Sequence, residues 1–109
     1  MKETLGEFEE LTMLMIALLK DDAYGLSICD EMKAQAGRSA TIGAVHATLN
    51  RLEEKGLVES YLGDPTKERG GRRKRLFTLT AYGKKSLQQS RDIKVNIWTQ
   101  IPELSLNTI

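Results

Sequence analysis

One cysteine and one histidine among 109 residues leave little from which to build a chemical centre. Cys29 by itself excludes an intramolecular disulfide framework and a multi-cysteine zinc site, and His46 has no second histidine with which to share a metal or complete a triad. The expectation is a protein without metal, cofactor or enzymatic activity. A long apolar run is also missing. Met13–Leu19 is the longest and is too short to span a bilayer, while Glu3, Glu7, Glu9 and Glu10 ahead of it carry the wrong charge for a secretory signal. A cytoplasmic protein with no membrane partner is expected. Internal repeats, low-complexity tracts and dividing linkers are absent too. What remains is a chain with 40% hydrophobic and 28% charged residues, close to ordinary globular usage. At this length, roughly two thirds of the unfolded surface can be buried.

The net charge of +1 hides a segregation. Residues 1–35 hold eight acids against three bases, whereas Lys67–Arg75 hold six bases against Glu68. The run Arg72-Arg73-Lys74-Arg75 repels itself unless a polyanion or a set of carboxylates compensates it. Taken alone, a short basic cluster is more often a solvated loop than a binding site, so its position in the fold has to decide.

Periodicity predicts a first helix over residues 3–20, with Leu5, Phe8, Met15, Ile16 and Leu19 on one side and Leu11, Leu14 and Leu18 on another. A helix with two apolar sides either contacts a second chain or is buried within its own. Asp21 and Asp22 can cap a second helix from about Ala23, carrying Tyr24, Ile28 and Met32 and stopping at Gly37, with Cys29 a small buried hydrophobe beside the stripe. Thr41 can cap a third, with Ile42, Val45, Leu49 and Leu52 as its buried stripe and Gly56 as its end. Strand character follows over Leu57–Leu62 and Lys74–Thr80, joined through Gly63-Asp64-Pro65, a charged stretch and Gly70-Gly71. Thr80 caps a last helix to about Ile101, where Pro102 disfavours continuation, with Leu87, Ile97, Trp98 and Ile101 on one side. The fold class is mainly α with a small β-hairpin: a winged helix-turn-helix of three N-terminal helices, a two-stranded wing and one long C-terminal helix. Residues 1–80 would form the winged unit, 81–101 the terminal helix and 102–109 a frayed tail.

This order suits nucleic acid. A recognition helix buries one face and offers small or polar groups on the other, since the major groove admits little more than a helix. Opposite the stripe of the third helix lie Gly43, Ala44, Ala47, Asn50 and Arg51. Asn50 can pair with adenine and Arg51 with guanine or phosphate; the plainer alternative pairs Arg51 with Glu54 on an exposed face. Thr41 and His46 would meet the backbone, His46 being otherwise a partly buried structural residue. Lys67, Arg69, Arg72, Arg73, Lys74 and Arg75 would lie on phosphates or in the minor groove, with Gly70 and Gly71 letting the main chain approach closely. Trp98 is either a packing residue or a platform for a planar ligand.

The segments Leu5-Gly6-Glu7-Phe8-Glu9-Glu10-Leu11, Asp22-Ala23-Tyr24-Gly25, Ile42-Gly43-Ala44-Val45, Leu49 to Val58, Gly70 to Arg75 and Leu79-Thr80-Ala81-Tyr82-Gly83 resemble the PadR family of bacterial transcriptional regulators. The likeness covers about residues 5–98 and extends to the short-tailed members. It implies a homodimer in which the C-terminal helix packs on the partner's first helix, and a repressor of a palindromic operator. Leu5, Leu11, Leu14, Leu18, Leu87, Ile93, Ile97, Trp98 and Ile101 are the expected dimer interface. Many members carry tyrosine where this chain has His46; imidazole reaches less far than a phenol, and its charge depends on pH. Some relatives bind planar aromatic molecules at the dimer centre, beside the position of Trp98. The expected partners are therefore double-stranded DNA, a second copy and a planar aromatic effector. The rival readings are a protein-interaction winged-helix module, whose basic tip pairs with an acidic partner, and a small-molecule sensor.

Overall fold

The computed structural model describes residues 5–65 and 73–104, and within them the expected mainly helical fold with its two-stranded wing is present. Helix α1 spans Glu7–Leu19. It starts where the Gly6 N–H donates to the Glu9 carboxylate at 3.1 Å and stops at Lys20, whose φ of 55° breaks the helix. Helix α2 is Gly25–Ala36 and ends on Gly37 in the left-handed conformation. Helix α3 is Ile42–Glu54, and Thr41 caps it as expected, its hydroxyl accepting from the Ala44 N–H at 3.0 Å.

Strands β1 (Val58–Pro65) and β2 (Arg73–Leu79) pair antiparallel with Val58 opposite Leu79 and Tyr61 opposite Leu76. The first strand runs past its expected end at Leu62, with an irregularity between Leu62 and Pro65. Helix α4, Ala81–Trp98, starts at Thr80, whose hydroxyl accepts from the Gly83 N–H and donates to the Gly56 carbonyl. It is three residues shorter than expected, and Pro102–Leu104 form a short 3₁₀ turn. Residues 105–109 of the expected tail lie outside the described residues.

Two expectations are corrected. Asp21 and Asp22 do not cap α2; they belong to a 3₁₀ turn, Lys20–Asp22, and the helix begins at Gly25. The cause is tertiary: Ala23 is extended and fully buried, and its carbonyl accepts from the Phe77 N–H at 2.8 Å. Backbone drawn into pairing with β2 cannot also be helical. Ser27 takes over the cap, accepting from the Tyr24 N–H at 2.9 Å. The second correction concerns Ile42, which is 46% exposed while Val45, Leu49 and Leu52 are fully buried. The stripe of α3 meets the core one turn later than its periodicity suggests.

Met13, Ile16, Ile28, Met32, Val45, Leu49, Leu52, Leu57 and Phe77 form the centre of the core, so three helices and the wing base share one hydrophobic body. The second apolar side of α1 is outside it: Leu14 and Leu18 are exposed in the single chain. Helix α4 joins the body at its first turns. A Cβ on Gly83 would stand 2.0 Å from the Leu57 carbonyl oxygen, so only glycine allows this approach. From Arg91 to Gln100 every residue of the chain is exposed.

Candidate nucleic-acid interface

The exposed side of α3 carries the residues that its sequence placed there. Thr41, Gly43, Ala44, His46, Ala47, Asn50 and Arg51 are all solvent-accessible. A side chain added at Gly43 would meet nothing within 4 Å, so the start of the helix presents a low surface that another molecule can approach. Asn50 and His46 have no hydrogen-bonded side-chain partner among the described residues. Arg51 does: its Nε lies 3.7 Å from the Glu9 carboxylate and its Nη2 donates to Thr48 at 3.1 Å. The partner weighed from the sequence, Glu54, is therefore replaced by a residue of α1.

Glu9 is itself nearly buried and receives the Lys55 ammonium at 3.0 Å. Burial pushes its carboxyl up, but the Gly6 N–H, Lys55 and Arg51 outweigh that and hold it below the usual carboxylate range. The adjacent Glu10 points to α4 instead. Burial opposes its charge too, yet contacts with Lys94 and Ser90 leave its carboxyl below the ordinary value.

Beside the start of α3 is a groove of about 460 Å³, formed where the first turns of α2 and α3 meet the wing. Tyr24, Gly25, Leu26, Ile42 and His46 line one side, and Arg73, Lys74 and Arg75 the other. Gly25 makes the junction possible: a Cβ there would come within 2.7 Å of His46 Nε2 and 2.9 Å of Ile42 Cδ1. The three cations differ. Arg75 donates to Glu53 at 2.6 Å and lies over the Phe77 ring, so its charge is compensated within the chain. Lys74 sits 4.3 Å from the centre of the Tyr24 ring, tying the wing base to α2 while its charge remains. Arg73 has no ion-pair partner among the described residues. Lys67, Arg69, Gly70, Gly71 and Arg72 of the expected site lie outside the described residues. Tyr24, Leu26 and Ile42 were not among the expected contact residues. The first was read as part of a helix stripe and the last as core; the exposed Leu26 had no pattern to mark it.

A second groove, of about 400 Å³, lies between α1 and α4. Leu14, Leu87, Val95 and Trp98 make it apolar, and Glu10, Arg91 and Lys94 rim it. Of the expected dimer residues, Leu14, Leu18, Ile93, Ile97 and Trp98 are exposed in the single chain, and Ile101 is half-buried. Leu5, Leu11 and Leu87 pack partly against the chain's own core. Val95, missed because it falls beside the counted stripe, is exposed in the same region.

Residues 13–89 match the sequence profile described as the Transcriptional regulator PadR-like family. An uncharacterised protein of Lysinibacillus sphaericus is 30% identical over 95 residues, spanning 85% of this chain and 81% of its own length. A PadR family transcription regulator from Clostridium difficile R20291 superposes with a TM-score of 0.63 at 28% identity, over 91% of this chain and 94% of its own. Bacillus subtilis PadR, solved in complex with operator DNA, superposes with a TM-score of 0.62 at 20% identity. That match covers 79% of this chain and 47% of the Bacillus protein, so it shows the shared fold alone.

Proposed function

Because this chain belongs to the transcriptional regulator PadR-like family, we propose that it binds double-stranded DNA as a cytoplasmic homodimer and represses transcription from a palindromic operator. The observation that carries this reading is one arrangement: a capped helix with a small, open face beside a groove edged by Arg73 and Lys74. In this reading Gly43, Ala44, Ala47 and Asn50 face the major groove, Thr41 and His46 its backbone, and the wing the adjoining phosphates. In the same reading Arg51 turns from Glu9 and Thr48 to a base or phosphate, whereas Arg75 serves mainly to hold the wing on α3 through Glu53. The solved operator complex of the Bacillus relative supports a DNA-binding role for this scaffold. No reaction is assigned to it.

The test is fluorescence anisotropy with random duplex DNA across a salt series. If four wing cations each meet a phosphate, log K falls against log salt with a slope of about −3.6 per wing. Absence of binding at low salt, or binding that salt does not weaken, overturns the proposal. Neutralising Arg72 and Arg73 together is expected to weaken DNA binding, reduce the salt slope by about 1.8 per wing and leave assembly intact. Loss of assembly with DNA binding unchanged would favour a protein-interaction module.

The apolar groove between α1 and α4 supports a second role, binding of a planar aromatic effector against Trp98. Saturable quenching of Trp98 fluorescence by such a compound is the expected result. A broad panel of planar aromatics that leaves the emission unchanged would rule it out.

A further inference from the structure

We infer that Ile42 reads a thymine methyl group, and so sets base preference at one position of each half-site. The inference rests on the DNA-binding reading above and adds to it the identity of a base.

Ile42 is the first residue of α3 and is 46% exposed, whereas the later members of its own stripe are fully buried. Leu26, in the first turn of α2, is 55% exposed and lines the same groove. Two large aliphatic side chains open to water and lining one groove offer apolar surface that a partner can cover. Their surroundings restrict what that cover can be. Arg73, Lys74 and His46 edge the groove, and among the described residues no acid lines it. A polyanion suits that edge, and an apolar protein surface or a basic one does not. The occupant must then be anionic outside and apolar where it meets Ile42. Duplex DNA has one such apolar group on its major-groove floor, the C5-methyl of thymine.

The side chain also has its room made for it: a Cβ added at Gly25 would stand 2.9 Å from the Ile42 Cδ1, so the bare glycine leaves that space open. Gly43 and Ala44 after it offer no bulk, which makes Ile42 the largest apolar projection at the end of the helix that enters a groove first.

The experiment is selection of bound sequences from a random duplex library, with the full-length protein and with Ile42→Ala. Each selected thymine is then replaced by deoxyuridine, which removes the methyl and nothing else. The wild type is expected to select a thymine at one position per half-site and to lose about fourfold in affinity there on replacement, the worth of roughly one buried methyl-sized group. Ile42→Ala is expected to lose that thymine preference and to bind both duplexes equally. Because Ile42 lies outside the core, the variant keeps its fold, which circular dichroism checks. Deoxyuridine without effect at every selected thymine overturns the inference while leaving DNA binding intact. So does an Ile42→Ala variant that responds as the wild type does, or one that alters only the oligomeric state. Failure of the wild type to bind any duplex overturns the underlying reading first.

Discussion

Two adjacent glutamates show how much one helix turn can decide. Glu9 and Glu10 follow each other on α1, yet Glu9 receives Lys55 and Arg51 of α3 and Glu10 receives Ser90 and Lys94 of α4. Both carboxyls are held below their ordinary value of 4.5. An unfolded chain therefore takes up these protons more readily than the folded one. The stability they contribute is complete above pH 4.5 and is lost as the pH falls through the lower folded values. Urea unfolding followed by circular dichroism from about pH 6 down to about pH 3 should show this loss. Glu9→Gln is expected to be less stable by about 1 kcal/mol at the upper end and to lose less on acidification. Equal slopes for the two proteins would remove Glu9 from the account. In the sequence both residues were visible only as part of an acidic N-terminal segment, because contacts separated by 46 and 84 residues have no local signature.

At the level of elements, two glycines should respond in opposite directions. Gly83 brings α4 against the α3–β1 connection, where an added methyl would collide with backbone at Leu57. Gly83→Ala is expected to cost about 2 kcal/mol or more, read as a lowered urea midpoint. Gly43, in the first turn of α3, has open space around it. Gly43→Ala should raise stability by about 0.5 kcal/mol through helix propensity and weaken DNA binding by filling the low face. A variant that gains stability and keeps full affinity would remove Gly43 from the proposed interface. The caps at Thr41 and Thr80 were legible because a hydroxyl before an apolar-periodic run has a local cause. The start of α2 was not, since β2 is 50 residues further on and takes the Ala23 carbonyl. The misplaced Ile42 has the same kind of origin: periodicity tells which side of a helix is apolar, but not where along its axis the core ends.

The molecule as a whole is longer than its size requires. Its radius of gyration is 15.7 Å, against about 13 Å for a compact domain of some 100 residues, and the principal extents are 54 × 32 × 21 Å. The outer half of α4 is exposed on all sides and carries Ile93, Val95, Ile97 and Trp98. Leu14 and Leu18 of α1 are exposed as well, and the proposed dimer is the assembly in which a second copy covers these apolar side chains. Ile93→Lys combined with Ile97→Lys should leave the chain's own core intact, since both positions are exposed, and convert a dimer to a monomer in sedimentation. DNA affinity is expected to fall by more than about tenfold, because two half-sites would no longer be bound by one tethered pair. A monomeric wild type, or a variant that remains dimeric, would reject this surface as the interface.

Local chemistry by itself determined the order and kind of the elements, the capped and small-faced α3 and the basic wing. Each follows from periodicity, caps, turn residues or composition, which act over a few positions. Tertiary structure alone decided where α2 begins, that Arg51 and Lys55 answer to Glu9, that Arg75 is neutralised by Glu53 while Arg73 has no ion-pair partner among the described residues, and that Ile42 stands outside the core. Those outcomes depend on which distant groups arrive within a few ångströms of one another, and burial and charge pairing are properties of that arrangement.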